Sequence, residues 1–507
     1  MIEFYQTSKK ADVEGVNKAE LEMTAQHIDR LVSEYKITEA KLLLRKIPVE
    51  EIPAKLRAEF AQLARRLGLH QRALKYLHGL IYDMTPEASM ADKIEYASTI
   101  RRLGMINHSK AILDGLDSVP EKWLYNSFCS IHLWNYSQAS IELSEYLKFD
   151  QLSTKQKTLA KINLAACLIQ ETDLDQAHHL LKSIEGSCQS VGAYLYLNWL
   201  ELMGQYSLKR GALSDANHFL AQAKKSNGTE NTNATLWISK WTLLVKISEG
   251  SIRAHDESVI QFKKNLRKEG QWETLRDFDW QVSLITGSKD LAQSVFFGTP
   301  YASFKTKVRS QLSPATLPLY VLRRDLREKN PAQETINILG GKNLVLPFGK
   351  SQQRLALMLL SDSYRPWSVY RIFDHLHAGE LFSPTHSTKK VYQVVERLKA
   401  YIEELAIPLE MSSSRQGFRV RPLGLGLIPI LETMCFDSNE EMKFSIVKFL
   451  TTVNNSVPAS FTAHDVSQVL ELSIHQSYRI IKELTDLGFL TPEQNGSKIT
   501  YTFKKAA

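Results

Sequence analysis

Along the first half of the chain a small residue returns at intervals of 33, 36, 30, 38 and 39 positions, at Ala40, Ala73, Ser109, Ala139, Ala177 and Ala216. Each stands five positions after a turn-like position, namely Tyr35, Gly68, Gly104, Trp134, Thr172 and Gly211. The surrounding segments LARRLGLHQRALKYL, LIQETDLDQAHHLL and SLKRGALSDANHFL each run from the end of one helical pattern, through a turn, into the next. A small side chain at that point lets two antiparallel helices approach closely. A unit renewed every thirty-odd residues has too little core to stand alone, so it must bury its face on its neighbours.

This spacing straddles the 34-residue period of tetratricopeptide (TPR) repeats, and the segment resembles a degenerate TPR array. Trp134 and Thr172 depart from the glycine that the family places at the turn. The resemblance implies that residues 1–300 form an α-solenoid with a groove lined by the first helix of each repeat. A protein or peptide partner is expected in that groove; a dimerisation or spacer element, with a second copy of the chain as partner, is the alternative. Asn227 to Ala234 is expected as an exposed loop, and its two Asn-x-Thr matches carry no weight without a secretion signal. A further helical pair is expected from Trp237 to Ile285.

Residues 301–333 change register, with Pro314, Pro318 and Pro331 and an excess of Lys and Arg over acids. They are expected to form a basic connector.

Residues 334–423 carry a different pattern. Val391, Val395, Leu398, Ile402 and Leu405 repeat at alternating steps of four and three, one buried helix face. Lys389, Lys390, Gln393 and Arg397 fall on the opposite side. A hairpin follows, with a turn at Ser412–Gln416 and Arg415, Arg419 and Arg421 on or near it. Upstream lie a hairpin signal around Gly340-Gly341 and amphipathic helices at Lys350–Ser361 and Trp367–Ala378. That order is a winged helix, a helix-turn-helix with a β-hairpin wing. Leu346-Pro347, Arg354-Leu355, the Lys390–Lys399 segment and Gly417-Phe418-Arg419-Val420 resemble the effector domain of OmpR/PhoB-type bacterial transcription regulators. The resemblance implies that Lys389, Lys390, Gln393, Val394 and Arg397 face double-stranded DNA, and the basic hairpin itself is expected to bring Arg415 and Arg419 to flanking phosphates. The family's phospho-receiver does not precede this segment; helical pairs do.

Residues 436–507 repeat the logic. A helix at Met442–Val453 is expected first. Thr462 and Asp465 open a second helix in a capping-box arrangement, Ser473 a third, and strands end the chain. The third helix is expected to bury Ile474, Ser477, Ile481 and Leu484 and to show His475, Gln476, Arg479 and Lys482. Such a domain serves DNA binding or protein dimerisation.

The 507 residues, net charge of +8 and ordinary hydrophobic content suit a multidomain protein with an anionic partner. Four cysteines, Cys129, Cys167, Cys188 and Cys435, lack the paired spacing of a zinc site and the density of a disulfide scaffold. No signal peptide or membrane-spanning run is evident, so a cytoplasmic location and no membrane partner are expected. Phe348-Gly349-Lys350-Ser351 lacks the leading glycine of a phosphate-binding loop, since position 344 is Leu344. His375, His377 and His386 find no further ligand to close a metal site, and His375 is expected on a helix surface. No nucleophile has a spaced base, so no enzyme activity, metal or cofactor is expected. The expectation is a mainly α protein, a TPR-like solenoid and two winged helices, acting as a DNA-binding transcription regulator. The alternative is an adaptor that uses groove and winged helices for protein contacts.

Overall fold

The computed structural model describes residues 18–33, 36–82, 88–227, 232–311, 350–380, 382–384, 386–404, 409–422, 460–470, 474–486, 490–495 and 498–503. They divide into two compact units, residues 1–286 with 368–392, and residues 287–367 with 393–507.

The first unit is a series of helix pairs: α1 (Lys18–Ser33) with α2 (Ile37–Lys46), α3 (Ala54–Arg66) with α4 (His70–Tyr82), and α5 (Met90–Leu103) with α6 (Ile106–Asp114). The series continues with α7 (Pro120–His132) and α8 (Tyr136–Leu147), α9 (Thr154–Glu171) and α10 (Leu174–Val191), and α11 (Ala193–Lys209) and α12 (Leu213–Ser226). It ends with α13 (Thr232–Ser248), α14 (Glu257–Lys268) and α15 (Trp272–Thr286). Helix α13 corrects one expectation, because it starts at Thr232 and buries Ala234 where the sequence pattern places an exposed loop. Apolar Ala234, Ile238, Trp241 and Val245 outweigh the polar Asn-Gly-Thr approach to it.

The repeat is visible in backbone geometry. Gly68, Gly104, Trp134, Thr172 and Gly211 all take the left-handed conformation. In each case the next residue donates its N–H to the carbonyl five back: Leu69 to Ala64, Met105 to Ile100, Asn135 to Ser130, Asp173 to Leu168 and Ala212 to Ser207, at 2.7–3.0 Å. This is the Schellman end of a helix, made five times with three different residue types (Gly, Trp and Thr) at the turn position. Trp134 and Thr172 therefore replace glycine without changing the turn. The small residues Ala40, Ala73, Ser109, Ala139, Ala177 and Ala216 are all fully buried. Ser109 is tolerated there because its hydroxyl donates to the Ala97 carbonyl at 2.8 Å. Capping boxes at Ser89 with Asp92 and at Ser153 with Gln156 open α5 and α9.

Successive first helices touch across repeats (α1 to α3, α3 to α5, α5 to α7, α9 to α11, α11 to α13, α13 to α15). Second helices pack chiefly on the first helices of their own and the next repeat. Closer spacing on the first-helix side makes that side the inner one. At Gly204 in α11 a Cβ would meet Leu220 of α12 at 2.8 Å, so this pair sits at the limit of close packing.

The first unit also contains α16 (Val369–Leu376), which lies on α6. Phe373 packs on the His108 ring and Asp374 hydrogen-bonds to it. His375 is half-buried here and not on a helix surface, and burial pushes its pKa down to about 4.

In the second unit, helices Lys289–Phe297 and Ala302–Gln311 pack together. Helix α17 (Lys350–Ser361) packs on β2 (Gly417–Pro422), which pairs antiparallel with β1 (Leu409–Ser414) from Leu409↔Pro422 to Ser414↔Gly417. The turn is thus Arg415-Gln416 alone, tighter than the expected Ser412–Gln416, because pairing persists to Ser414. Trp367 and Phe418 exchange backbone hydrogen bonds at 2.9 Å, which adds a bridge to the hairpin. Helix α18 (His386–Glu404), whose residues up to Tyr392 belong to the first unit, buries Val391, Val395, Leu398 and Ile402 as expected.

A second small core lies near the C-terminus. Strand β3 (Ser460–Phe461), helices α19 (Ala463–Leu470) and α20 (Ile474–Asp486), and strands β4 (Leu490–Asn495) and β5 (Lys498–Phe503) form it, with strand order β3-β5-β4. Thr462 and Asp465 exchange the bonds of the expected capping box. Helix α20 buries Ser477, Ile480, Ile481 and Leu484, while Ile474 is exposed, contrary to expectation. Ile480 takes the place in the core, since it lies one turn before Leu484 and at the helix centre. The hairpin around Gly340-Gly341, the helix at Met442–Val453 and Cys435 lie outside the described residues.

Candidate protein-interaction groove

The first-helix layer carries polar side chains deep among apolar ones. At one end, the Lys240 ammonium of α13 lies 2.5 Å from the Asp277 carboxylate of α15 and 4.0 Å above the Trp241 ring. Gln281, one turn on, donates to the same carboxylate at 3.1 Å. Glu201 of α11 accepts from Trp241 Nε1 at 3.0 Å and from Gln205 at 3.1 Å. Burial would raise the Asp277 pKa, but Lys240 outweighs it and holds the carboxyl below its usual range. Burial dominates at Glu201 and raises it, although Lys240 opposes the shift. The two acids share one ammonium, so only one gains full compensation. Trp134 joins this end: its indole donates to Glu273 of α15 at 3.0 Å.

The other end is cationic. Arg65 of α3 binds Glu95 of α5 through two hydrogen bonds, at 2.6 and 2.9 Å. Arg101, at the end of α5, is 2% exposed and stacks over Phe128 of α7 at 5.3 Å. Its neighbour Arg102 is exposed and senses Tyr194 of α11. Burial, then the Arg102 charge, lowers the Arg101 pKa to about 10, so the guanidinium remains charged at neutral pH. Burial and the three arginines push His70 down to about 4, so His70 is neutral.

The expected DNA-facing residues divide into three groups. Lys389, Gln393 and Arg397 are exposed along α18, as is Lys390, which pairs with Glu380 at 2.6 Å. Arg415 is exposed in the hairpin turn and Lys482 on α20. One expectation fails. Val394 is 9% exposed and belongs to the buried face, because an apolar residue beside Val391, Val395 and Leu398 gains more by burial than by exposure. Arg419 donates from one guanidinium nitrogen to the Tyr364 carbonyl at 2.7 Å, inside its own unit. Gln476 and Arg479 lie on α20, with side chains outside the described ones.

Arg65, Arg101 and Arg102 are not among the site residues that the sequence patterns single out. A signal exists: Arg-Arg-Leu-Gly occurs at both 65–68 and 101–104, at equivalent helix ends. Among the described residues there is no group of three or more His, Cys, Asp or Glu side chains fit to hold a metal ion. No described helix is long and apolar enough to cross a membrane.

No family model matches the chain, and no curated protein matches it. Among solved structures it is similar to a tetratricopeptide repeat protein from Parabacteroides merdae ATCC 43184, at 14% identity and a TM-score of 0.34, over 52% of this chain and 98% of that one.

Proposed function

We propose that the chain is a protein-interaction scaffold whose first-helix layer receives a segment of another protein. The observation that carries this is the composition of that layer. Charged and aromatic side chains (Arg65, Glu95, Tyr125, Glu201, Lys240, Trp241) occupy one series of helices, with their rotamers already held by hydrogen bonds and ion pairs, and Arg101 stacks over Phe128 among them. Preorganised aromatic and guanidinium groups lower the ordering cost of binding and are the residue types that dominate interfaces. The test is photo-crosslinking in the source cells from the full chain. A photoreactive residue at Tyr194, on α11, is compared with one at Ile141, an exposed residue of the second helix α8. Discrete adducts from position 194 alone are expected. Identical adducts from both positions, or none from either, overturn the proposal.

DNA binding is a second reading, favoured by one observation: Lys389, Gln393 and Arg397 stand exposed at helical spacing on α18. A salt titration of binding to duplex DNA tests it, with the variants given in the Discussion.

A further inference from the structure

We infer that the arginine end of the groove, Arg102 in front with Arg101 and Arg65 behind it, binds an oxyanion carried by a partner polypeptide, a carboxylate or a phosphoryl group. The inference rests on the groove reading and names the chemistry of what enters it.

Charge bookkeeping within the described residues points this way. Glu95 is the acid of the cluster, and both of its oxygens are engaged by Arg65. One further donor, Thr99 Oγ1, lies 3.3 Å from it. Nothing comparable compensates Arg101 or Arg102: neither forms an ion pair with a described carboxylate, and the groups that raise either one are the Cys129 thiol and the Tyr125 and Tyr194 phenols, not carboxylates. The polar contact of Arg101 is with His132 Nδ1 at 3.4 Å. That nitrogen also lies 2.8 Å from the Phe128 carbonyl, which requires it to carry the proton. A protonated Nδ1 has no lone pair to offer Arg101. The Arg101 Nε is buried with no acceptor at all.

A buried guanidinium with an uncompensated charge is strongly unfavourable unless something pairs it. Here it lies beside a second cation, Arg102, so the two fields add. Low-dielectric walls of Tyr125, Phe128 and Tyr194 keep that field from being screened. His70 adds no charge, being neutral. Arg102 is exposed and free to form the direct, forked bond to the oxyanion. Arg101 acts through space as a positioning charge. An acidic side chain or a phosphorylated residue supplies the missing anion, and a peptide that reaches it can lay its neighbouring side chains on Tyr194.

The experiment measures fluorescence anisotropy of three labelled hexapeptides with the full chain at low salt: hexaglutamate, hexaglutamine, and a glutamine peptide with one phosphoserine. Hexaglutamate binding with little phosphoserine binding assigns a carboxylate; the reverse assigns a phosphoryl group; either supports the inference. Arg102→Gln is expected to weaken the bound peptide by about tenfold or more, the value of a lost charge-assisted bond. Arg101→Met is expected to weaken it as well, and to raise or hold the melting temperature of the free protein, because it removes an uncompensated buried charge. A merely structural Arg101 would instead lower that temperature and leave binding intact. Equal binding of hexaglutamine, no binding of any acidic peptide, or unchanged binding in both variants overturns the inference. Crosslinking from Tyr194 separates the two levels: adducts that survive Arg101→Met and Arg102→Gln leave the groove reading standing and reject the oxyanion.

Discussion

Asp374 caps a helix to which it is not connected in sequence. Its carboxylate accepts from the backbone N–H of Asn107 at 3.0 Å and of His108 at 2.9 Å, the first turn of α6, and from His108 Nδ1 at 2.6 Å. The local N-cap residue, Met105, offers no side-chain acceptor. The opposite nitrogen of the ring, Nε2, lies 2.7 Å from the Glu380 carbonyl, so a doubly protonated imidazole satisfies both partners. An anion at a helix N-terminus is favourable by itself, and here it also fixes α16 on α6.

Asp374→Ala should therefore cost about 2 kcal/mol, since it leaves two N–H groups and a buried imidazole without their acceptor. Urea unfolding of the first unit's helices measures it. Loss below a few tenths of a kcal/mol would mean that the cap is dispensable.

The same pair sets a pH dependence. Burial lowers the His108 pKa, but the Asp374 hydrogen bond and charge outweigh it and the net shift is upward. A raised folded pKa contributes stability that is complete below the unfolded value of about 6.5 and fades as pH rises through the folded one. The melting temperature of wild type relative to His108→Gln should shrink as pH rises from neutral into the alkaline range. A difference that grows over that range contradicts the assignment.

The two turns without glycine should respond in opposite ways. Thr172 holds a β-branched side chain at φ 66°, a conformation costing about 1 kcal/mol outside glycine. Thr172→Gly should recover that amount. Trp134, at φ 57°, is buried and bonded to Glu273, so Trp134→Gly should lose about 3 kcal/mol despite relieving the backbone. Melting temperatures moving the same way for both would refute the explanation.

Overpacking tests the helix crossings. Ala177 is fully buried between α9, α10 and their neighbours. Ala177→Trp should cost about 1–3 kcal/mol. An unchanged melting temperature would show that the crossing has room to spare.

For the DNA reading, Arg397→Ala should cost about 1–3 kcal/mol on a specific site and little on random duplex, as expected of a guanidinium bonded to guanine O6 and N7. Arg415→Ala, in the hairpin turn, should weaken both duplexes alike and reduce the salt slope by about one unit. No change with either variant removes α18 and its hairpin as a DNA surface.

Local chemistry was legible from the residues alone. The spacing of Ala40 to Ala216, the Thr462–Asp465 box and the apolar face of α18 report helix, turn and cap, because those depend on neighbours a few positions apart. The repeated turn even survives loss of its glycine, since the carbonyls it satisfies belong to the helix itself. Long-range partners were not legible. That Asp374 would cap α6, 266 positions away from His108, depends on which helix end packs nearby. That Arg101 would be buried beside Arg102, while Arg66 of the equivalent pair would bond to Asp29 of α1, is decided by the stacking of α1, α3, α5 and α7. Identical Arg-Arg-Leu-Gly segments thus carry different electrostatics, because charge compensation is set by what the tertiary structure places within a few ångströms.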